Sequence, residues 1–196
     1  MRIAIGSDHA GFVLKTTLVE WLTDQGHEVH DVGTHSEERT DYPQFGAEVA
    51  RRVVDGDDDF GVAVCGSGQG ICMAVNKVHG ARGGVIRDVQ DAEMTRRHND
   101  ANVACFGERV TDPATAIESL SVFLSTEFEG GRHLARVEQL DEIRALHGFS
   151  CCVRDTGVIH SYIYWRHHHV SHSLCSHARC CCPAGRHRAR RLLIRF

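Results

Sequence analysis

The residues best suited to chemistry lie in one short stretch, Val62 to Gly70, which reads VAVCGSGQG. An apolar run ends in Cys65 and then breaks into Gly66, Gly68 and Gly70. Two nucleotide-binding patterns fail here. A dinucleotide fingerprint requires a third glycine where Ile71 stands, and a Walker loop requires a Lys followed by Ser or Thr, which is missing after Gly70. The loop itself still has useful properties. Glycines permit close backbone approach, and N–H groups at the start of a following helix favour negative charge. Cys65, at the end of a strand and facing such N–H groups, stands where a thiolate is favoured over a thiol. A thiolate beside an anion-holding loop can take a proton from a carbon next to a carbonyl while the N–H groups hold the developing enediolate. That is the chemistry of a sugar isomerase. Taken alone, the stretch also fits a plainer structure, with Cys65 as a small buried apolar residue and the glycines easing strand against helix.

Other polar residues fall near expected strand ends. SDHAG places Asp8 and His9 after the first strand, and RRHNDANV places His98 and Asn99 just before the fifth, so the four are expected at one sheet edge. Single histidines at helix ends often serve only as caps or surface groups. EGGRHLAR sets Arg132 and Arg136 four apart, on one face of a helix at its first turns. Such pairs are usually solvated, but like charges repel at this spacing, and a shared phosphate accounts for them better.

The elements that must position these residues follow from periodicity. Short β-rich apolar runs alternate with segments of helical period, the pattern of a parallel sheet covered on both faces. Strands are predicted at Arg2 to Gly6, Glu28 to Val32, Gly61 to Cys65, Gly83 to Ile86 and Val103 to Phe106. Helices are predicted at Phe12 to Gln25, with Phe12, Leu14, Leu18 and Leu22 near one stripe, at Pro43 to Val54, and after the glycine loop through Ala74 to Lys77. Further helices are expected at Val89 to His98, Pro113 to Thr126 and Arg132 to Leu146. The expected fold is α/β, a Rossmann-like three-layer α/β/α sandwich on a five-stranded parallel sheet. In such folds ligands bind outside the carboxyl ends of the strands, here the loops after Gly6, Cys65 and Phe106.

Composition divides the chain of 196 residues in two. Residues 1–146 carry 14 Lys and Arg against 25 acidic residues, a net charge of −11, whereas residues 147–196 carry eight arginines against Asp155 alone, a net charge of +7. An acidic body argues against nucleic acid as the partner and leaves room for a small anion held by converging arginines. No apolar run approaches the roughly 20 residues of a membrane span, and the first residues do not read as a secretory signal, so a soluble cytoplasmic protein is expected. Only Cys65, Cys72 and Cys105 of the nine cysteines lie in the body, which fits a reducing compartment. The segment 147–196 is rich in His, Cys and Arg, without a sustained period. Its triplets His167 to His169 and Cys180 to Cys182 match zinc-site spacing poorly. The expectation is a disordered segment or a non-native extension, beside an isomerase domain at 1–146.

The motifs, taken in order, resemble one family. GSDHAG, RTDYP (Arg39 to Pro43), CGSGQG, the segment Ala74 to Lys77, RRHNDANV, FGERV (Phe106 to Val110) and EGGRHLARV resemble the ribose-5-phosphate isomerase B family, of the wider group that includes galactose-6-phosphate isomerase subunits. The resemblance covers Met1 to about Leu146. It implies Cys65 as the catalytic base; a second branch of the family uses a glutamate just after the loop, where this chain has the apolar Ile71. It further implies His98 as the residue that opens the furanose ring, and Ser67 as a proton shuttle between sugar oxygens. Asp8, His9 and Asn99 become sugar contacts, and Gly66, Ser67, Gly68, Gln69 and Gly70 the enediolate-holding loop. Arg109, Arg132 and Arg136, with His133 as a weaker candidate, become the phosphate-binding set. The implied activity is metal-independent and cofactor-free interconversion of D-ribose 5-phosphate and D-ribulose 5-phosphate in the pentose phosphate pathway. The implied assembly is a homodimer or dimer of dimers with sites shared between subunits. Alternatives are a six-carbon substrate, such as allose or galactose 6-phosphate, and a catalytically silent sugar-phosphate-binding subunit.

Overall fold

The computed structural model describes residues 1–145, so the expectations for the segment 147–196 lie outside the described residues. Five strands, β1 (Arg2–Ser7), β2 (Glu28–Asp31), β3 (Phe60–Cys65), β4 (Gly83–Val85) and β5 (Val103–Gly107), form one sheet in the order β2-β1-β3-β5-β4. All neighbouring pairs are parallel. The helices are α1 (Phe12–Asp24), α2 (Tyr42–Val54), α3 (Gln69–Val75), α4 (Val89–Asn99), α5 (Pro113–Ser125) and α6 (Leu134–Ala145). The α/β sandwich expected from periodicity is the fold observed.

Because both faces of the sheet are covered, the strands are apolar on both sides, and alternation decides which side chain meets which layer. Ile3, Ile5, Val62, Val64, Ala104 and Phe106 pack with Leu14, Leu18 and Leu22 of α1 and Leu120 and Phe123 of α5. Ala4, Ala63, Cys65, Val103 and Cys105 face the other way, against Val49 and Ala50 of α2 and Ile71, Cys72 and Val75 of α3. Cys65 therefore has its side chain rooted in the α2/α3 layer.

Two details depart from the periodicity. In α1 the buried stripe is Leu14, Lys15, Leu18 and Leu22, with Phe12 only half-buried. Lys15 tolerates burial because its ammonium donates to Asp31 Oδ2 at 2.5 Å and to the Thr34 carbonyl at 2.7 Å. The helix after the glycine loop stops at Val75 and does not reach Lys77. Asn76 ends it: Nδ2 donates to the Cys72 and Gly83 carbonyls, and Oδ1 accepts from Gly83 N–H, turning the chain towards β4.

Candidate active site

Three loops at the carboxyl edge of the sheet are tied to one another around Cys65. Asp8 N–H donates to the Val64 carbonyl at 3.3 Å, Glu108 N–H to the Cys65 carbonyl at 2.9 Å, and Arg109 N–H to the Gly66 carbonyl at 3.1 Å. The Glu108 carboxylate in turn accepts from Leu14 N–H at 2.8 Å, which fixes the β5 loop to the start of α1. The approach is close enough to demand glycine on both sides. Gly68 adopts φ +76°, and a Cβ on Gly107 would stand 2.5 Å from the Ser67 carbonyl carbon.

An open cleft of about 430 Å³ lies over this junction. Asp8, His9, Cys65, Gly66, Ser67, Gly70 and Arg109 line it, so the structure brings seven of the expected residues together. Cys65 is 4% exposed, while Ser67 is exposed at the loop's crest. Gly68 is buried beneath the loop, and Gln69 is exposed as the first residue of α3. Arg109 lies over the loop, its Cζ 3.4 Å from where a Gly66 Cβ would be. Asp8 is buried and accepts from Ala10 N–H at 3.0 Å; burial pushes its carboxyl above the usual range, against the opposing pull of Ala10 N–H and His9. His9 Nδ1 is 3.0 Å from the Thr40 carbonyl and 3.3 Å from Thr40 N, which commits that nitrogen to the backbone in either tautomer. Tyr42 completes the wall, its ring against the face of Gly70. RTDYP carries Tyr42 as a motif residue, yet nothing in its spacing marks it for the cleft.

The other expected residues stand elsewhere. His98 and Asn99 were expected at the same sheet edge as Cys65, and the structure corrects this. The helices run antiparallel to the strands, so α4 returns the chain to the edge where β5 begins. Gly61 pairs with Val103 at that edge and Cys65 with Gly107 at the other, four residues or about 13 Å along the sheet. The lining of the Cys65 cleft includes none of His98, Asn99, Arg132 or Arg136.

A second group surrounds His98. Its ring stacks on that of His133, centroids 4.3 Å apart and planes 5° apart. Glu129 Oε2 lies 3.8 Å from His98 Nε2 and accepts from Arg97 at 3.0 Å. Arg132 Nε is 3.1 Å from His133 Nε2. His133 is buried, and desolvation, then His98 and Arg132, lower its pKa. Arg132 sits in the short turn Gly131–His133 ahead of α6 and Arg136 in α6 itself, both exposed. Asn99 lines a separate cavity of about 300 Å³ with Asn76, Arg82 and Thr95. Glu129 and Arg97 carry no signal in the sequence, because their relevance depends on α4 and the α5–α6 connection meeting in space.

Comparison with known proteins gives a consistent result. The family model described as Ribose/Galactose Isomerase matches residues 3–140. Ribose-5-phosphate isomerase B of Escherichia coli (strain K12) is 44% identical over 142 residues, covering 72% of this chain and 95% of that protein. A galactose-6-phosphate isomerase subunit of Clostridium acetobutylicum is 39% identical over 129 residues, 66% of this chain and 75% of that one. Among solved structures, ribose-5-phosphate isomerase B of Clostridium thermocellum superposes with a TM-score of 0.74 at 45% identity, over 74% of this chain and 99% of that chain. The type B enzyme of Trypanosoma brucei gives 0.70 at 43% identity, over 72% and 97%.

Proposed function

The chain belongs to the ribose/galactose isomerase family, and from that premise we propose that it interconverts D-ribose 5-phosphate and D-ribulose 5-phosphate through a cis-enediolate. The observation that carries the reading is the cleft itself: a thiol at the carboxyl end of β3, under a glycine loop, with Asp8, His9 and Arg109 on the same wall. The ribose substrate is preferred over a six-carbon one because the relative named for ribose 5-phosphate is the more similar and the more fully covered.

The roles of the residues are those that the family resemblance implies. His98 opens the furanose by moving a proton between ring oxygen and anomeric hydroxyl. The Cys65 thiolate removes the C2 proton, and the electron pair passes into the C1 carbonyl to give the enediolate. N–H groups of Gly66 to Gly70 hold the negative oxygens as they form. Ser67 moves a proton between O1 and O2, and the proton held by Cys65 returns at C1. Every electron stays within the sugar, so the step consumes no redox cofactor. Asp8, His9 and Asn99 bind sugar hydroxyls, while Arg109, Arg132 and Arg136, with His133, bind phosphate.

Cys65 closes β3 at one edge of the sheet, whereas His98 ends α4 towards the other edge, where β5 begins, and the Cys65 cleft is not lined by His98. We therefore assign the working unit as a homodimer, or a dimer of dimers, in which His98 of one copy faces Cys65 of another. The activity resides in residues 1–146, in the cytoplasm; among the described residues no helix is long and apolar enough to cross a membrane. The test is ribulose 5-phosphate formation from ribose 5-phosphate by the purified chain, with allose 6-phosphate and galactose 6-phosphate as competitors. A higher kcat/KM for either six-carbon sugar overturns the substrate assignment.

A further inference from the structure

Outside the Cys65 cleft, three metal-ligating side chains converge where α4 ends. His98, Glu129 and His133 each offer a ligand atom, and these atoms lie within 4.8 Å of one another. Two imidazoles and one carboxylate with an open fourth position make the donor set of three-ligand zinc sites. Metal–ligand bonds of about 2.0–2.1 Å in tetrahedral geometry place ligand atoms about 3.3 Å apart. The separation observed between Glu129 Oε2 and His98 Nε2, 3.8 Å, is near that value already. His133 is buried and gives a fixed point, whereas Glu129 is exposed and His98 half-buried and both are free to turn; because the rings lie parallel, their in-plane lone pairs meet at one ion once His98 rotates out of the stack.

Two guanidinium contacts compete with an ion. Arg97 donates to Glu129 at 3.0 Å, but it keeps Glu93 at 2.8 Å when Glu129 turns away. Arg132 is exposed, so its 3.1 Å contact to His133 Nε2 is readily exchanged for water. Exposed pairs of this kind contribute little.

We propose that His98, Glu129 and His133 form a binding site for a borderline divalent transition metal such as Zn²⁺, and that its occupancy inhibits the isomerase by withholding His98 from ring opening. A metal-bound imidazole nitrogen has no lone pair for a sugar proton and cannot swing towards the substrate. The site is therefore inhibitory, and metal and sugar phosphate exclude one another at His98. Binding stands on the three side chains alone; inhibition rests on the role assigned to His98 above.

The experiment measures ribose 5-phosphate turnover by the full chain in buffers that fix free Zn²⁺, for the parent and for Glu129→Gln. Metal uptake by the histidines and cysteines of 147–196 is the same in both and is cancelled by the buffering. The expected result is inhibition reversed by chelator and by excess substrate, with the half-inhibiting concentration at least about 10-fold higher in Glu129→Gln. Co²⁺ spectra on the same pair are expected to give a difference spectrum with d–d bands and no thiolate-to-cobalt charge-transfer band. Absence of inhibition overturns the inhibitory role, equal inhibition of both chains places the ion elsewhere, and identical cobalt spectra overturn the site. A chain inactive in metal-free buffer overturns the isomerase reading instead, and the cobalt spectra still decide the site.

Discussion

Replacing Cys65 by Ala separates a catalytic thiol from a merely buried one. Cys65 is 4% exposed and packs among Ala63, Ile71 and Cys105, so removing its sulfur deletes one heavy atom from a tight layer. The cost is about 1 to 2 kcal/mol from lost burial and residual cavity, or about 2 to 8 °C in Tm for a domain of this size. Against a total stability of about 5 to 15 kcal/mol, the variant stays folded. Loss of a general base instead costs about 10² to 10⁴-fold in kcat, or about 2.7 to 5.4 kcal/mol of transition-state stabilisation. KM should move little, because the groups assigned to bind phosphate and hydroxyls are untouched. Cys105→Ala is the matched control. Its thiol is on the same face of the sheet, fully buried and outside the cleft, and the hydrogen bond to Cys72, then burial, hold its pKa well above the usual range. It should show a similar fall in Tm with turnover within a few-fold of the parent. The assay is initial-rate ribulose 5-phosphate formation beside thermal melting by circular dichroism. A loss below 10-fold in Cys65→Ala, or equal losses in both variants, refutes the assignment of Cys65 as base.

Two further substitutions test the surrounding groups. Arg136→Ala is expected to lower kcat/KM by about 10 to 100-fold, the worth of a charge-assisted hydrogen bond, with most of the effect in KM; unaltered steady-state kinetics would remove Arg136 from the site. Asp8→Asn should lose activity yet gain stability at neutral pH. Burial raises the folded-state pKa of Asp8, so its stabilising contribution exists below the usual carboxylate value and is lost as pH rises through the raised one. The Asn variant should therefore melt at or above the parent at pH 8, and the difference should shrink below about pH 4; a parent that melts higher at pH 8 contradicts the sign.

Much of this arrangement is legible in the residues. Short apolar runs between helical segments mark all five strands, and a cysteine followed by glycines at a strand end marks the candidate loop without any structure. Strand order is not legible, since nothing local says that β5 lies between β3 and β4. For the same reason the approach of Arg109 to Gly66, the seating of Tyr42 on Gly70 and the meeting of Glu129 with His98 appear only in three dimensions. Lys15 is invisible to a hydrophobic pattern because Asp31 and the Thr34 carbonyl, distant in sequence, make its burial tolerable. The expectation that His98 shares an edge with Cys65 failed for a topological reason: a helix between parallel strands runs back, and its last residue emerges at the opposite edge.

If the site is assembled from Cys65 of one copy and His98 of another, two inactive chains must repair each other. Cys65→Ala and His98→Asn should each be nearly inactive, and the mixed dimer, co-expressed with two different tags and purified through both, carries one site with both residues intact. The account predicts that this mixed dimer converts ribose 5-phosphate at about half the parental rate per dimer, as two-fold symmetry requires. A mixed dimer no more active than either parent variant would contradict it.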